Sequence, residues 1–198
     1  GIQTADGRIS FTVNGEVREV TCPPSTRLSE VLRETLALRA TKVGCNAGDC
    51  GACTVLLDGD PVCACLVPAG QLEGRRVETA ESLAGKDKTL SALQASFLRH
   101  GAAQCGICTP GMMMAATALL RETDAPDRHA VEDALGGVLC RCTGYAKIID
   151  AVMDAHLRLS QRRVIFHGTS LRRAQRHGRL VLHDFPRRGD WLSCGSDA

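Results

Sequence analysis

The sequence predicts an α+β protein in two parts: a small mixed sheet with one helix packed on it, then a set of four helices. Three observations lead there. Side chains alternate with a period of two around tight-turn dipeptides in the first third of the chain, and helical spacing takes over from about Glu81. The cysteines fall into two separate groups, one in each part. With 198 residues and 44% hydrophobic content the chain can bury a core in one domain or in two small ones.

Ser10 to Thr21 alternates about Asn14-Gly15, the two-residue signal for a hairpin, and so reads as strand, turn, strand. After Pro23-Pro24, Leu28, Val31, Leu32, Thr35 and Leu36 recur at helical spacing within Thr26 to Leu38, with Thr26 or Ser29 available as a cap. Cys53 to Leu57 and Pro61 to Leu66 read as short strands joined at Asp58-Gly59, and Val77 to Thr79 adds another. Strand order does not follow from pattern alone. The helical stretches are Leu90 to His100, Pro110 to Arg121, Arg128 to Leu135 behind an Asp127 cap, and Tyr145 to Leu157. Thr109 before Pro110 and Thr143 before the last helix are expected as caps. Met112, Met113 and Met114 read as core filler rather than soft metal ligands.

Cys45, Cys50 and Cys53 stand in a C-x4-C-x2-C run interrupted by Gly44, Gly48 and Gly51. Residues without a Cβ let the backbone turn its N–H groups towards a sulfur-rich anion, which suits a cluster better than a single ion. The spacing is that of plant-type 2Fe-2S ferredoxins, in which a fourth cysteine lies further along. Cys63 and Cys65 are both candidates. They share one face of an extended strand, so periodicity does not choose between them. Cys105 and Cys108 form a C-x2-C and Cys140 and Cys142 a C-x-C, which supplies four more thiolates for a second cluster. Zinc is the competing occupant, but its sites favour paired C-x2-C knuckles. Both pairs precede predicted helices, whose free N–H groups and positive dipole end favour a negative cluster.

Aromatic residues are only 3% of the chain, so clusters are an expected source of stability beside a modest apolar core. A disulfide scaffold would fit the eleven cysteines, but such chains are usually shorter, and no signal peptide is recognisable. No apolar run approaches 18 residues, Gly111 to Leu120 being the longest candidate, so no transmembrane segment is expected. Net charge is +2, unevenly spread: Gln161 to Ala198 carries eight arginines against three aspartates, with Phe166, Phe185 and Trp191 among them. This tail reads as a basic extension, and without a recognised motif no nucleic-acid partner is expected. The six histidines lack metal-ligand spacing, and Cys22 and Cys194 read as ordinary thiols.

The segments Gly44 to Gly59 (GCNAGDCGACTVLLDG), Gln104 to Met112 (QCGICTPGM) and Leu139 to Tyr145 (LCRCTGY) closely resemble the iron-sulfur subunit of the xanthine oxidase family of molybdenum hydroxylases, in order and in separation. The resemblance spans roughly Ile9 to Leu157. It implies a ferredoxin-like β-grasp domain over residues 1–84 and a four-helix domain over 85–160, each holding one 2Fe-2S cluster, followed by the extension 161–198 without a counterpart. It also implies Cys65, followed by Leu66, as the fourth ligand of the first cluster, and it places Gln104 and Cys142 where the family approaches the pterin of a molybdenum cofactor.

The implied reaction is oxidative hydroxylation of an aldehyde or electron-poor N-heterocycle on a large molybdenum-cofactor subunit. Electrons would leave through the Cys105/Cys108/Cys140/Cys142 cluster and then the Cys45/Cys50/Cys53/Cys65 cluster to a medium FAD subunit or a cytochrome acceptor. No residue of this chain is expected to be catalytic in the substrate chemistry. A cytoplasmic location is expected, with a periplasmic one open through the partner subunits. A stand-alone 2Fe-2S carrier and a zinc-binding module are the alternatives, and iron and acid-labile sulfide content separates them.

Overall fold

Hairpin geometry organises the first part of the molecule. The computed structural model describes residues 7–85, 87 and 89–159. Strands β1 (Arg8–Val13) and β2 (Glu16–Thr21) pair antiparallel across Asn14 and Gly15, whose φ angles of 52° and 84° are the left-handed pair that a two-residue hairpin turn requires. Ile9, Phe11 and Val13 point inward from β1, whereas β2 buries only Val20 and exposes a charged edge. A second hairpin joins β3 (Thr54–Leu57) to β4 (Asp60–Cys63) through Asp58 and Gly59, again both at positive φ.

Strand β5 (Arg76–Glu78) slots between the hairpins, giving the order β2-β1-β5-β3-β4. It runs parallel to β1 and antiparallel to β3, so the sheet is mixed. Asn14 locks this arrangement: its Oδ1 accepts from Thr79 N–H (2.8 Å) and its Nδ2 donates to Thr79 Oγ1 (2.9 Å).

Helix α1 (Leu28–Glu30) continues as a π-helical turn, Val31–Thr35, and sinks Leu28, Val31 and Leu32 into the core with Phe11, Val55, Leu72 and Val77. The expected caps are not used. Its first N–H groups belong to Leu28 and Ser29, which donate to Val67 O (2.8 Å) and Ala64 O (3.1 Å) in the segment after β4. Neither a Thr26 nor a Ser29 hydroxyl is therefore needed as acceptor, and Arg27 occupies the cap position without a side-chain bond. Left-handed Ala37 (φ 56°) follows the helix.

In the second part, α2 (Ala92–His100) starts with a reciprocal capping box between Ser91 and Gln94 and ends at left-handed Gly101. Helix α3 (Thr109–Glu122) begins one residue before the expected start. Cys108 already has helical angles, so Thr109 lies inside the first turn and its buried hydroxyl caps nothing. Helix α4 (Arg128–Leu135) is capped as expected, Asp127 Oδ1 accepting from Ala130 N–H at 2.8 Å. Helix α5 spans residues 146–159. These helices bury Phe97, Met112, Ala116, Val131, Leu135, Ile148 and Val152 in a second apolar cluster, and Met114 is also fully buried, as core filler should be. Lys86 and Lys88 of the polar junction, the 161–198 extension and Cys194 lie outside the described residues.

Two of the contacts between the helices and the sheet region are specific ones. Arg121 of α3 forms a two-bonded ion pair with Glu78 of β5, both bonds 2.8 Å. Gly51 and Gly111 allow the loop before β3, the first turn of α3 and residues 137–138 to touch backbone to backbone: a Cβ on Gly51 would lie 2.0 Å from Gly137 O.

Candidate metal centres

The first cysteine group is built on the loop between the end of the α1 segment and β3. Positive φ at Asn46, Gly48 and Gly51 curls it so that N–H groups turn inward. Ala47 N–H and Cys50 N–H donate to Cys45 Sγ (3.3 and 3.4 Å), and Cys45 N–H donates to Cys50 Sγ (3.3 Å). The two N–H bonds to Cys45 Sγ, that from Ala47 first, lower the Cys45 thiol to about 6, which favours the thiolate a metal requires. Cys53 and Cys65 form the inner half. Both are buried and their thiols interact, and burial foremost raises Cys53 to about 12.

Cys63 also lies beside this group. Strand β4 ends at Cys63, whose thiol lies 3.6 Å from Gly48 O, interacts with the Cys53 side chain and is shifted upward by burial. Cys65 follows in the turn beyond the strand and is only 2% exposed, so the two do not share one face of a continuous strand. Gly48 gives the loop room beside Leu66, since an added Cβ would meet that side chain at 2.5 Å.

The second group forms where α3 begins and where the chain approaches α5. Cys105 and Cys142 are exposed and interact through their side chains. Cys108 is buried and interacts with half-buried Cys140. The Ile107 N–H, with the Cys142 contact second, lowers Cys105, while burial foremost pushes Cys108 up to about 12. Cys140 ends at about 7: burial raises it, but the Thr143 hydroxyl and backbone N–H more than offset this. The Thr143 hydroxyl and Cys140 Sγ are 3.1 Å apart, and Cys140 N–H donates to Tyr145 Oη at 2.9 Å. Gln104 is exposed and donates from Nε2 to Cys142 O (3.1 Å).

All eight sequence-predicted cysteines thus fall into two groups, each with an outward and an inward pair. Among the described residues no three or more His, Cys, Asp or Glu side chains are placed to hold a single metal ion. Association in twos suits a dinuclear cluster, which takes two cysteines at each iron, better than a tetrahedral ion that draws four sulfurs to about 2.3 Å from one point. Peptide N–H groups aimed at sulfur add the donors that iron-bound thiolates favour. The donor set therefore fits two 2Fe-2S clusters.

The groups also meet. Leu139 N–H donates to Cys50 O (2.9 Å), so one backbone hydrogen bond joins a cysteine of the first group to the residue preceding Cys140. Sequence reasoning missed this bond, which depends on tertiary contact. It also missed the Thr143–Cys140 contact, although the C-x-x-T spacing of those residues was visible and had been assigned to helix capping.

Comparison with known proteins agrees with the geometry. Residues 11–89 match the 2Fe-2S iron-sulfur cluster binding domain, and residues 79–153 match the 2Fe-2S binding domain. The chain is 46% identical over 147 residues to the nicotinate dehydrogenase small FeS subunit of Eubacterium barkeri, covering 74% of this chain and 93% of the relative. It is 44% identical over 148 residues to the xanthine dehydrogenase iron-sulfur-binding subunit of Escherichia coli O157:H7, covering 74% and 92%. Quinoline 2-oxidoreductase from Pseudomonas putida 86 shares the fold with a TM-score of 0.74 and 48% identity, over 78% of this chain and 96% of that one.

An α+β chain with two 2Fe-2S-binding domains is an electron-transfer protein by class. The chain belongs to the iron-sulfur small subunits of the xanthine oxidase family of molybdenum hydroxylases. It serves an oxidoreductase complex as its electron-transfer subunit. Among the described residues no helix is long and apolar enough to cross a membrane.

Proposed function

We propose that Cys45, Cys50, Cys53 and Cys65 hold one 2Fe-2S cluster within a β-grasp domain of residues 1–84, and that Cys105, Cys108, Cys140 and Cys142 hold the other within a four-helix domain of residues 85–160. The observation that carries this reading is the convergence of the thiols in two groups, Cys45 beside Cys50 and Cys53 beside Cys65, then Cys105 beside Cys142 and Cys108 beside Cys140; Cys63 also reaches Cys53, and the more buried Cys65 is taken as the ligand. Each cluster, when bound, accepts and releases one electron at a time. The chain's own residues bring the thiolates together, aim N–H donors at them and bury Cys53, Cys65 and Cys108 away from water.

The molybdenum-pterin cofactor belongs in this reading to a large partner subunit that faces Gln104 and Cys142, and FAD or a cytochrome serves as acceptor on the far side. The substrate is an aldehyde or an N-heterocycle, in keeping with relatives named for nicotinate, xanthine and quinoline. The Leu139 to Cys50 bond supplies a short connection between the two ligand sets.

The test is quantitation of iron, acid-labile sulfide, molybdenum, flavin and haem in the gently purified native complex. About four irons and four sulfides per chain are expected, two of each per cluster, together with molybdenum. Zinc in place of iron would overturn the ligand reading, and iron without molybdenum would overturn the partner reading.

A further inference from the structure

Between Cys140 and Tyr145 the chain closes a circuit of hydrogen bonds around one sulfur. Cys140 N–H donates to Tyr145 Oη (2.9 Å), and Tyr145 N–H donates to Thr143 Oγ1 (3.2 Å). Thr143 Oγ1 then lies 3.1 Å from Cys140 Sγ, and Thr143 N–H donates to the same sulfur at 3.4 Å. Tyr145 completes the circuit with a φ of 68°, a left-handed backbone that residues with a side chain rarely adopt. Strain held at a residue whose phenol and N–H serve one cysteine and its hydroxyl neighbour points to a task beyond starting a helix.

Proton accounting gives the direction. An iron-bound cysteine sulfur carries no proton, and the Thr143 oxygen already accepts from Tyr145, so the hydroxyl proton is free to point at sulfur. We propose that Thr143 is a positioning residue that donates its O–H to Cys140 Sγ and raises the reduction potential of the helical cluster, with Tyr145 fixing the direction of that bond. The proposal rests on reading Cys140 as an iron ligand. An added electron increases negative charge on the cluster and its cysteine sulfurs, and a donor aimed at sulfur favours that state over the oxidised one. Cys45 and Cys50 receive their donors from backbone N–H groups instead. A side-chain hydroxyl therefore sets one potential without touching the other.

The test is a redox titration of the full chain in its complex, following the two 2Fe-2S signals by electron paramagnetic resonance. Thr143→Val is expected to lower the midpoint potential of one signal and leave the other in place, and Thr143→Ser to return it to the wild-type value. Tyr145→Phe keeps the Tyr145 N–H that orients the Thr143 hydroxyl and removes only the acceptor of Cys140 N–H, so it should move that signal far less than Thr143→Val does. Should Thr143→Val lose the cluster, Thr143→Ala and Thr143→Ser decide. Serine at the wild-type potential with alanine lowered supports the proposal, and alanine at the wild-type potential overturns it.

A Cys140→Ser variant that retains both signals overturns the ligand assignment and the proposal together. If Cys140→Ser loses one signal while Thr143→Val titrates at the wild-type potential, the proposal alone is overturned. Equal shifts of both signals in Thr143→Val also overturn it, because they mark a general structural effect.

Discussion

The two cysteine groups share a plan and differ in what carries it out. Each sets an exposed cysteine in an outward pair, Cys45 with Cys50 and Cys105 with Cys142, against an inward pair, Cys53 with Cys65 and Cys108 with Cys140. In the first group the donors to Cys45 and Cys50 are peptide N–H groups, brought into place by left-handed residues and glycines. In the second, Cys140 Sγ faces the Thr143 hydroxyl as well as the Thr143 N–H, and the Tyr145 phenol accepts from Cys140 N–H. The difference teaches where each site is vulnerable: the first to changes of backbone, the second to changes of side chain as well.

The largest effect is expected where the groups touch. Gly51 combines a φ of 64° with a Cβ position 2.0 Å from Gly137 O and 2.9 Å from Val138 Cα, and all of these neighbours are backbone. Nothing there yields by rotating a side chain. Gly51→Ala should therefore cost about 3 kcal/mol or more from overpacking and left-handed strain together, with loss of iron from both sites. Gly59→Ala makes the comparison sharp: its φ of 105° carries strain, but no atom lies within 4 Å of the new Cβ. It should cost only about 1–2 kcal/mol and keep the iron. Thermal unfolding and iron content of the two variants check this, and equal behaviour would show that strain rather than contact sets the cost.

Within the first group, Cys65→Ser is expected to abolish one 2Fe-2S signal, because it removes one member of the buried pair with Cys53. Cys63→Ser should leave both signals, since that thiol, although it also reaches Cys53, is less buried than Cys65 and faces Gly48 O. Electron paramagnetic resonance of the reduced complex reads both. The reverse outcome would place Cys63 among the ligands and break the symmetry of outward and inward pairs.

Much of this was legible in the sequence because the signals are local. Asn14-Gly15 and Asp58-Gly59 mark their hairpins, Asp127 caps its helix, and the cysteine spacings mark both groups. What depends on distant segments was not legible. The insertion of β5 beside β1 requires knowing how some sixty intervening residues fold. The caps expected at Thr26 or Ser29 fail because Ala64 and Val67 supply carbonyl acceptors from another part of the chain. Thr109 fails for a nearer reason, since the backbone of Cys108 had already turned helical. By sequence Thr143 is a hydroxyl near a helix start, and only the left-handed turn at Tyr145 shows which sulfur it faces.

The smallest effect tests whether the two regions depend on each other beyond Gly51. Arg121 and Glu78 join α3 to β5 through two 2.8 Å bonds, but their side chains are 51% and 33% exposed, so water and salt screen the pair. Arg121→Ala should lower stability at neutral pH by only about 0.5–1 kcal/mol. The hydrogen bond from Arg121, more than its charge, holds the Glu78 carboxyl below its ordinary 4.5. A carboxyl with a depressed folded value contributes its full stabilisation above the unfolded value and loses it as pH falls through the folded one. The gap between wild type and Arg121→Ala should therefore be constant above pH 4.5 and close below it, as read from urea midpoints at matched ionic strength. Arg121→Lys keeps the charge but not the two-pronged fork, and should recover only part of the gap. A gap that persisted unchanged in acid would show that the arginine stem, packed along the sheet, joins the regions rather than its ion pair.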